Sequence, residues 1–223
     1  MSLSTYVLTI DGPAASGKST VSRQLSQRFG CPWVSTGAFY RGLAYAALRM
    51  NIELDKVDEL VKLCESNLWE VRMTPARTLV FFQGENVTDQ IAHEDVGSFA
   101  SRISSHPPVR ASLLAGQRAC ARPGSGLVAE GRDCGTVVFP NANVKIYLTA
   151  DQDKRAARRA REQGAEETEI LAAQKVRDAQ DSQRKASPMQ IPEDALVVDT
   201  SEMDLNEVVD LIEKHIRGKI QVQ

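Results

Sequence analysis

The sequence predicts a three-layer α/β/α domain built on a five-stranded parallel sheet. Three observations carry that reading. Five short apolar segments, at 7–10, 33–34, 127–130, 144–149 and 195–199, alternate with helical patterns. Apolar strands separated by helices belong to parallel sheets buried on both faces. A glycine-rich turn joins the first strand to the first helix. Finally, 223 residues with 42% hydrophobic and 25% charged side chains suffice for one domain, or one domain with insertions.

The glycine-rich turn is Gly12-Pro13-Ala14-Ala15-Ser16-Gly17-Lys18-Ser19, followed by Thr20. A glycine, four residues and Gly-Lys-Ser between a strand and a helix form a phosphate-binding loop in the context it requires. Gly12 and Gly17 let the backbone approach a phosphate without Cβ in the way. The loop amides and the helix N-terminus then attract oxygen anions. Lys18 would reach the β- and γ-phosphates, and the Ser19 hydroxyl would go to Mg2+. Residues 12–20 are therefore the expected ATP phosphate site, and the fold is of the P-loop nucleoside triphosphate hydrolase-like kind. The motif alone does not separate a kinase from a switch or a motor.

The remaining elements follow in order. Val21, Leu25 and Phe29 give the first helix its apolar face, with Ser22 and Arg28 on other faces. After the strand at 33–34, residues 38–50 form a helix with Phe39, Leu43, Ala46 and Ala47 inward. Residues 55–64 form another, capped by Asp55. Residues 68–73 and 78–83 are β-rich and joined by a turn, a hairpin inserted into the alternating α/β pattern. Residues 89–91 and 94–104 are helical, and Pro107-Pro108 opens a helix to residue 122. Asp151 caps a basic helix that stops at Gly164, and a polar helix runs from about 166 to 185. The closing helix, 204–219, points Val208, Leu211, Ile212 and Ile216 inward.

Composition excludes several classes. A net charge of −2 argues against a general nucleic-acid or membrane surface. No apolar run approaches a membrane span, and no basic-then-apolar leader is visible. The four cysteines have no metal-ligand spacing and read as free thiols of a cytoplasmic protein, and the three histidines are scattered. Any cationic site must therefore be local.

Three loops at the carboxyl ends of strands, 12–19, 35–41 and 131–136, hold the chemistry-bearing residues, as this sheet type expects. Arg132-Asp133 follows one strand and Arg41 lies just past another. A guanidinium fork gives a phosphate two parallel hydrogen bonds, so Arg41 and Arg132 suit an acceptor phosphate. Asp133 could orient Arg132 or accept from a substrate amine. Arg155, Arg158 and Arg159 share a helix face and form a candidate lid. Arg177, Asp181 and Arg184 share another face, either as an ion-pair ladder or as groups presented to a nucleoside. Cys134 beside Asp133 is either an oxidation-sensitive thiol or an inert buried one.

Over nearly its whole length the chain resembles the bacterial cytidylate kinase family. The resemblance rests on IDGPAASGKST, STGAFYR, the hairpin insertion, HPPVR, EGRDCGTVVFP, VKIYLTA, the RAARR helix and RDAQDSQR. It implies an ATP- and Mg2+-dependent nucleoside monophosphate kinase making CDP from CMP, and dCDP from dCMP. It implies an acceptor-binding region at about 38–108 and a lid at about 152–185, in a monomer with no nucleic-acid partner. The acceptor phosphate would meet Arg41 and Arg132. The cytosine would be read around Thr36, Arg110, Asp133 and Arg184, and the sugar near Ser101, Arg177 and Asp181. Lys18, Arg132, Arg158 and Arg159 would be catalytic, with Arg155 on the ATP phosphates. Thr36 stands where related sequences often have Ser, Gln180 where some have Arg, and Ser35 replaces a common Asp. Two rival readings are a kinase of another small acceptor (UMP, AMP or shikimate) and a nucleotide switch. The switch expects N-K-x-D and D-x-x-G, and neither stands in the right place.

Overall fold

The structure, a computed structural model, describes residues 6–164, 166–184 and 186–220. In chain order its elements are β1 (Tyr6–Asp11), α1 (Lys18–Phe29), β2 (Trp33–Ser35), α2 (Gly37–Arg49), α3 (Val57–Cys64), β3 (Trp69–Met73), β4 (Thr78–Phe82) and β5 (Glu85–Asn86). A 3-10 turn, Gln90–Ala92, precedes α4 (Glu94–Ile103), α5 (Pro107–Arg118) and β6 (Gly126–Gly131). A π-helical turn, Cys134–Val138, leads to β7 (Val144–Thr149), α6 (Gln152–Gln163), α7 (Glu167–Gln183), β8 (Leu196–Asp199) and α8 (Leu205–Lys219).

The five predicted strands form one parallel sheet in the order β2-β6-β1-β7-β8. Their side chains alternate between two cores, as strand geometry demands. Leu8 and Ile10 of β1, Val128 of β6, and Val144, Ile146 and Leu148 of β7 face α1 and α8. Val7, Leu127 and Ala129 face the opposite core, shared with α2 to α5 and the small sheet. Leu8, Ile10, Ile146 and Leu148 are fully buried, so truncating any of them to alanine costs about 2–5 kcal/mol.

This order sets β2, β6 and β1 side by side. Because all three are parallel, the loops after them leave the same edge of the sheet. That places 12–19, 35–41 and 131–136 together.

Several local expectations are corrected. Ser22 and Ser26 are fully buried, so Ser22 does not lie on an outer face. These small side chains let α1 lie close on the sheet, and Ser26 Oγ donates to the Cys31 carbonyl. Helix α3 begins at Val57, and Asp55 does not cap it: the Asp55 carbonyl instead accepts from Val57 N–H. The insertion has a third strand, β5, paired antiparallel to β4. Helix α5 ends at Arg118, four residues early. In α8, Leu211 is 40% exposed and Val209 takes the inward position. A step of 100° per residue puts 208, 209, 212 and 216 on one stripe and carries 211 to its edge. The predicted end of the polar helix at residue 185 lies outside the described residues. The expected cap at Asp151 does form, accepting from the amides of Asp153 and Lys154, and α8 starts on a full capping box of Asp204 with Glu207.

Candidate active site

The site is built from the phosphate loop upward. Gly12 has φ +149, and a Cβ there would come within 2.1 Å of the Leu148 carbonyl oxygen. Gly17 has φ +88, and Ala15 also takes a left-handed conformation at φ +56. Lys18 Nζ donates back to the Pro13 carbonyl at 2.6 Å, which holds it over the loop. Burial pushes its ammonium down to about 7, Arg132 pushes the same way, and Glu130 and Asp11 oppose. Ser19 Oγ donates to the Glu130 carboxylate, 2.9 and 3.1 Å from its two oxygens.

Asp11, at the end of β1, positions the second loop. Its two carboxylate oxygens accept from the amides of Cys134 and Gly135 at 2.8 and 2.7 Å. Burial raises its pKa to about 6 against the pull of those two bonds. From the far side, Arg118 Nε donates to the Val138 carbonyl and Nη2 to that of Val137. The 132–138 turn is thus held at both ends, which fixes the direction of Arg132 and Asp133.

A cleft of about 280 Å³ lies where the three loops meet. Of the expected site residues it is lined by Ala14, Ala15, Lys18, Ser19, Thr36, Arg41, Ser101, Arg110, Arg132, Asp133, Arg159, Arg177, Asp181 and Arg184. The lining carries seven Lys and Arg side chains against four carboxylates, in a chain of net charge −2. Arg41 stands among these cations, its Nη1 donating to the Ile91 carbonyl at 2.6 Å. Burial, then Arg177 and Arg159, lower its pKa to about 10, while Glu94 acts the other way. Guanidinium groups crowded in this way attract an anion.

Asp133 does not orient Arg132. It pairs with Arg110 at 2.5 Å, both side chains 8% exposed. Asp181 orients Arg132 instead: its Oδ2 is 2.8 Å from Arg132 Nε, and Arg132 Nη1 donates to the Gly12 carbonyl at 2.6 Å. Arg110 also lies 5.3 Å over the Tyr40 ring. Arg110 Nε and Arg184 Nε are buried and make no hydrogen bond among the described residues. The Thr36 hydroxyl donates to the Glu130 carbonyl at 2.9 Å. Arg177 reaches across to Glu94 of α4, and Arg184 Nη1 lies 3.3 Å from Asp181. The face shared by Arg177, Asp181 and Arg184 therefore ties α7 to two other parts of the molecule.

A second opening of about 520 Å³ lies on the other side of the phosphate loop, against residues 15–21, Arg158, Arg159, Thr200, Met203, Leu205 and Val208. Arg158 donates to Thr200 Oγ1 at 3.1 Å and to the Thr200 carbonyl at 2.5 Å. Arg155 lines neither opening. It is 6% exposed and bonded to Ala150, Ala14 and Asp178. Gly12 and Pro13 shape the loop without lining either opening, whereas Ser16, Gly17 and Thr20 line the second. Cys134 is fully buried, and burial raises its thiol pKa well above the usual value, which leaves it an inert thiol.

Sequence reasoning missed Asp11, Glu130, Thr200 and Met203; it grouped Asp178 with Arg177, Asp181 and Arg184 on the polar helix, but not its bonds to Arg155 and the Ala14 amide. Asp11 and Glu130 do carry a signal, since each is a carboxylate at the end of an otherwise apolar strand. Thr200 and Met203 carry none, because only the sheet order brings the loop after β8 beside the phosphate loop.

Residues 8–218 match the family described as cytidylate kinase. A cytidylate kinase of Bdellovibrio bacteriovorus is 59% identical over 214 residues, 96% of this chain and 99% of the relative. One from a Geobacillus species is 40% identical over 218 residues, 96% of this chain and 97% of the relative. A gluconokinase from Sinorhizobium meliloti matches in fold alone, with a TM-score of 0.50 and 13% identity over 97% of this chain and 98% of its own. With a local cationic cleft on a P-loop sheet and matches of this length, the chain belongs to the cytidylate kinase family.

Proposed function

We propose that the protein transfers the γ-phosphoryl group of ATP to CMP, and to dCMP, giving CDP and dCDP. The observation that carries this reading is the cleft in which Lys18 and Ser19 of the phosphate loop face Arg41, Arg132, Arg159 and Arg177. The acceptor is already an anion, so no strong base is needed. Positioning and charge neutralisation account for the chemistry. The acceptor phosphate would draw Arg132 from Asp181 and join Arg41. The buried Arg110–Asp133 pair offers donors and an acceptor to the edge of a cytosine, and a base lacking those groups leaves them unpaired. Ser101, Arg177 and Asp181 lie where the sugar would pass. Thr36 would act through its bond to the Glu130 carbonyl, shaping the floor of the site.

The residues present fit Mg2+. Ser19 Oγ donates its proton to the Glu130 carboxylate, which leaves its lone pairs for a cation, and Mg2+ commonly takes one or two protein oxygens plus phosphates and waters. Among the described residues no cluster of three or more acidic, His or Cys side chains forms a cage for a metal; in this reading the ion arrives with the nucleotide. When bound it neutralises phosphate charge. Residues at about 38–108 would form the acceptor-binding region, and those at about 152–185 the lid. Arg158 and Arg159, beside the second opening, would turn toward the phosphates as the lid closes over them. Closure excludes water, whose attack on ATP is the competing reaction. No helix among the described residues is long and apolar enough to cross a membrane. The enzyme would be a cytoplasmic monomer acting on free nucleotides.

The test is ADP formation from MgATP with CMP, dCMP, UMP, AMP, GMP and shikimate in parallel. Turnover with CMP and dCMP far above the others is expected. Turnover confined to another acceptor would overturn the base-site assignments.

A further inference from the structure

Two carboxylates one turn apart on α7 each hold an arginine that grips a carbonyl of the phosphate loop. Asp181 holds Arg132, which donates to Gly12. Asp178 Oδ2 accepts from Arg155 Nη1 at 2.7 Å, and the same nitrogen donates to the Ala14 carbonyl at 2.8 Å. Asp178 Oδ1 also accepts from the Ala14 amide at 3.1 Å. Ala14 is therefore bound at both of its main-chain polar groups by side chains of α6 and α7.

The next residue, Ala15, sits at φ +56. A non-glycine residue keeps that conformation only where its surroundings over-determine it. The two bonds on Ala14 supply such a constraint immediately before the strained position. Asp178 itself cannot bind a phosphate, since an ionised carboxylate only accepts hydrogen bonds. Arg155 neutralises it and is buried against it, so neither side chain is offered to the cleft.

We propose that Asp178 is a positioning residue for the donor triphosphate. It acts through Arg155 and the Ala14 amide, holding the phosphate loop in its receptive shape and tying that shape to the placement of α7. The same helix presents Arg177 and Asp181, and Arg184 at its C-cap, to the acceptor cleft. One helix thereby contacts the phosphate loop and lines the acceptor cleft. The inference rests on the proposed kinase reading for the word donor, but the contact with the loop does not depend on the identity of the acceptor.

The test compares Asp178→Ala and Asp178→Asn with the wild type. Asn keeps an acceptor for the Ala14 amide and loses the charge opposite Arg155; Ala loses both. Three quantities are read: hydrogen exchange of the Ala14 amide in the free protein, the Kd of a non-hydrolysable ATP analogue with Mg2+, and the Kd of CMP. For Asp178→Ala, exchange at Ala14 should rise about tenfold and the analogue Kd about tenfold, the usual weight of a charge-assisted hydrogen bond. The CMP Kd should stay within about twofold. Asp178→Asn should leave Ala14 protected and weaken the analogue by a smaller factor, and it carries the test if the Ala variant does not fold. Unchanged exchange and unchanged analogue Kd would overturn the proposal, as would an equal loss of analogue and CMP affinity, which marks a general loss of structure. A wild-type protein that fails to bind CMP would refute the acceptor assignment and leave the first two readouts intact.

Discussion

The Arg110–Asp133 pair offers a prediction with a magnitude. The two groups are 2.5 Å apart and each side chain is 8% exposed, so almost no water shares the charge. Removing one partner of such a buried pair strands the other and costs about 3–5 kcal/mol. Arg110→Met removes the guanidinium but keeps a flexible apolar chain against Tyr40. It leaves the Asp133 carboxylate with no cation in contact. Unfolding entropy of about 2.1 cal/mol/K per residue gives about 0.5 kcal/mol/K for this chain. The expected loss is therefore about 6–10 °C in Tm. Asp133→Asn keeps the shape and one acceptor, so it should cost less, about 1–3 kcal/mol. The double variant Arg110→Met with Asp133→Asn has no stranded charge, and its cost should fall short of the sum of the singles by about 2 kcal/mol or more. Calorimetric or fluorescence melting of the four proteins at one pH reads this directly. Additivity within about 0.5 kcal/mol would show that the two charges do not depend on each other, and the account of this buried pair would fail.

Three further outcomes are expected. Arg132→Ala should reduce phosphoryl transfer to the acceptor by at least about a hundredfold, roughly two charge-assisted hydrogen bonds, while ATP-analogue affinity changes little; wild-type turnover would remove Arg132 from the acceptor site. Lys18 is depressed to about 7 in the free protein, and a bound triphosphate draws its pKa back up. Binding of the ATP analogue at pH 8 should therefore take up a proton. The sign follows because the free protein holds less than a full proton on Lys18 at that pH and the complex holds more. Titration calorimetry in buffers of different ionisation enthalpy should show this uptake, and Lys18→Met should lose it; a buffer-independent heat in the wild type would contradict it. Gly12→Ala brings Cβ within 2.1 Å of a main-chain oxygen at a φ of +149. It should cost several kcal/mol, about 3 or more, so a Tm within 1 °C of wild type would mean that the loop shifts freely.

Much of this protein was legible before its structure. Residues 12–19 announce a phosphate loop because that chemistry needs particular residue types at fixed spacing, and the spacing is local. The five strands are equally legible, since each is a short apolar run. The cap at Asp151 is local too. Asp55 shows the limit of such signals: a capping residue in the right place goes unused when the chain turns into the helix two residues later.

Tertiary structure alone decided which charges meet. Arg132 could have been oriented by its neighbour Asp133, but Asp133 turns to Arg110 of α5, and Arg132 is held by Asp181, 49 positions away in the sequence. Arg155 shares a helix face with Arg158 and Arg159, yet it is buried against Ala14 and Asp178 while they border the second opening. Ser22 and Leu211 exchanged their expected sides for the same reason: a helix has a continuous surface, and what packs against it chooses the stripe. Motif spacing and hydrophobic period follow from neighbours along the chain, so the sequence determined the loop, the strands and the reaction class. Charge pairing falls off over a few ångströms of space, and only the order β2-β6-β1-β7-β8 decides which side chains are that close.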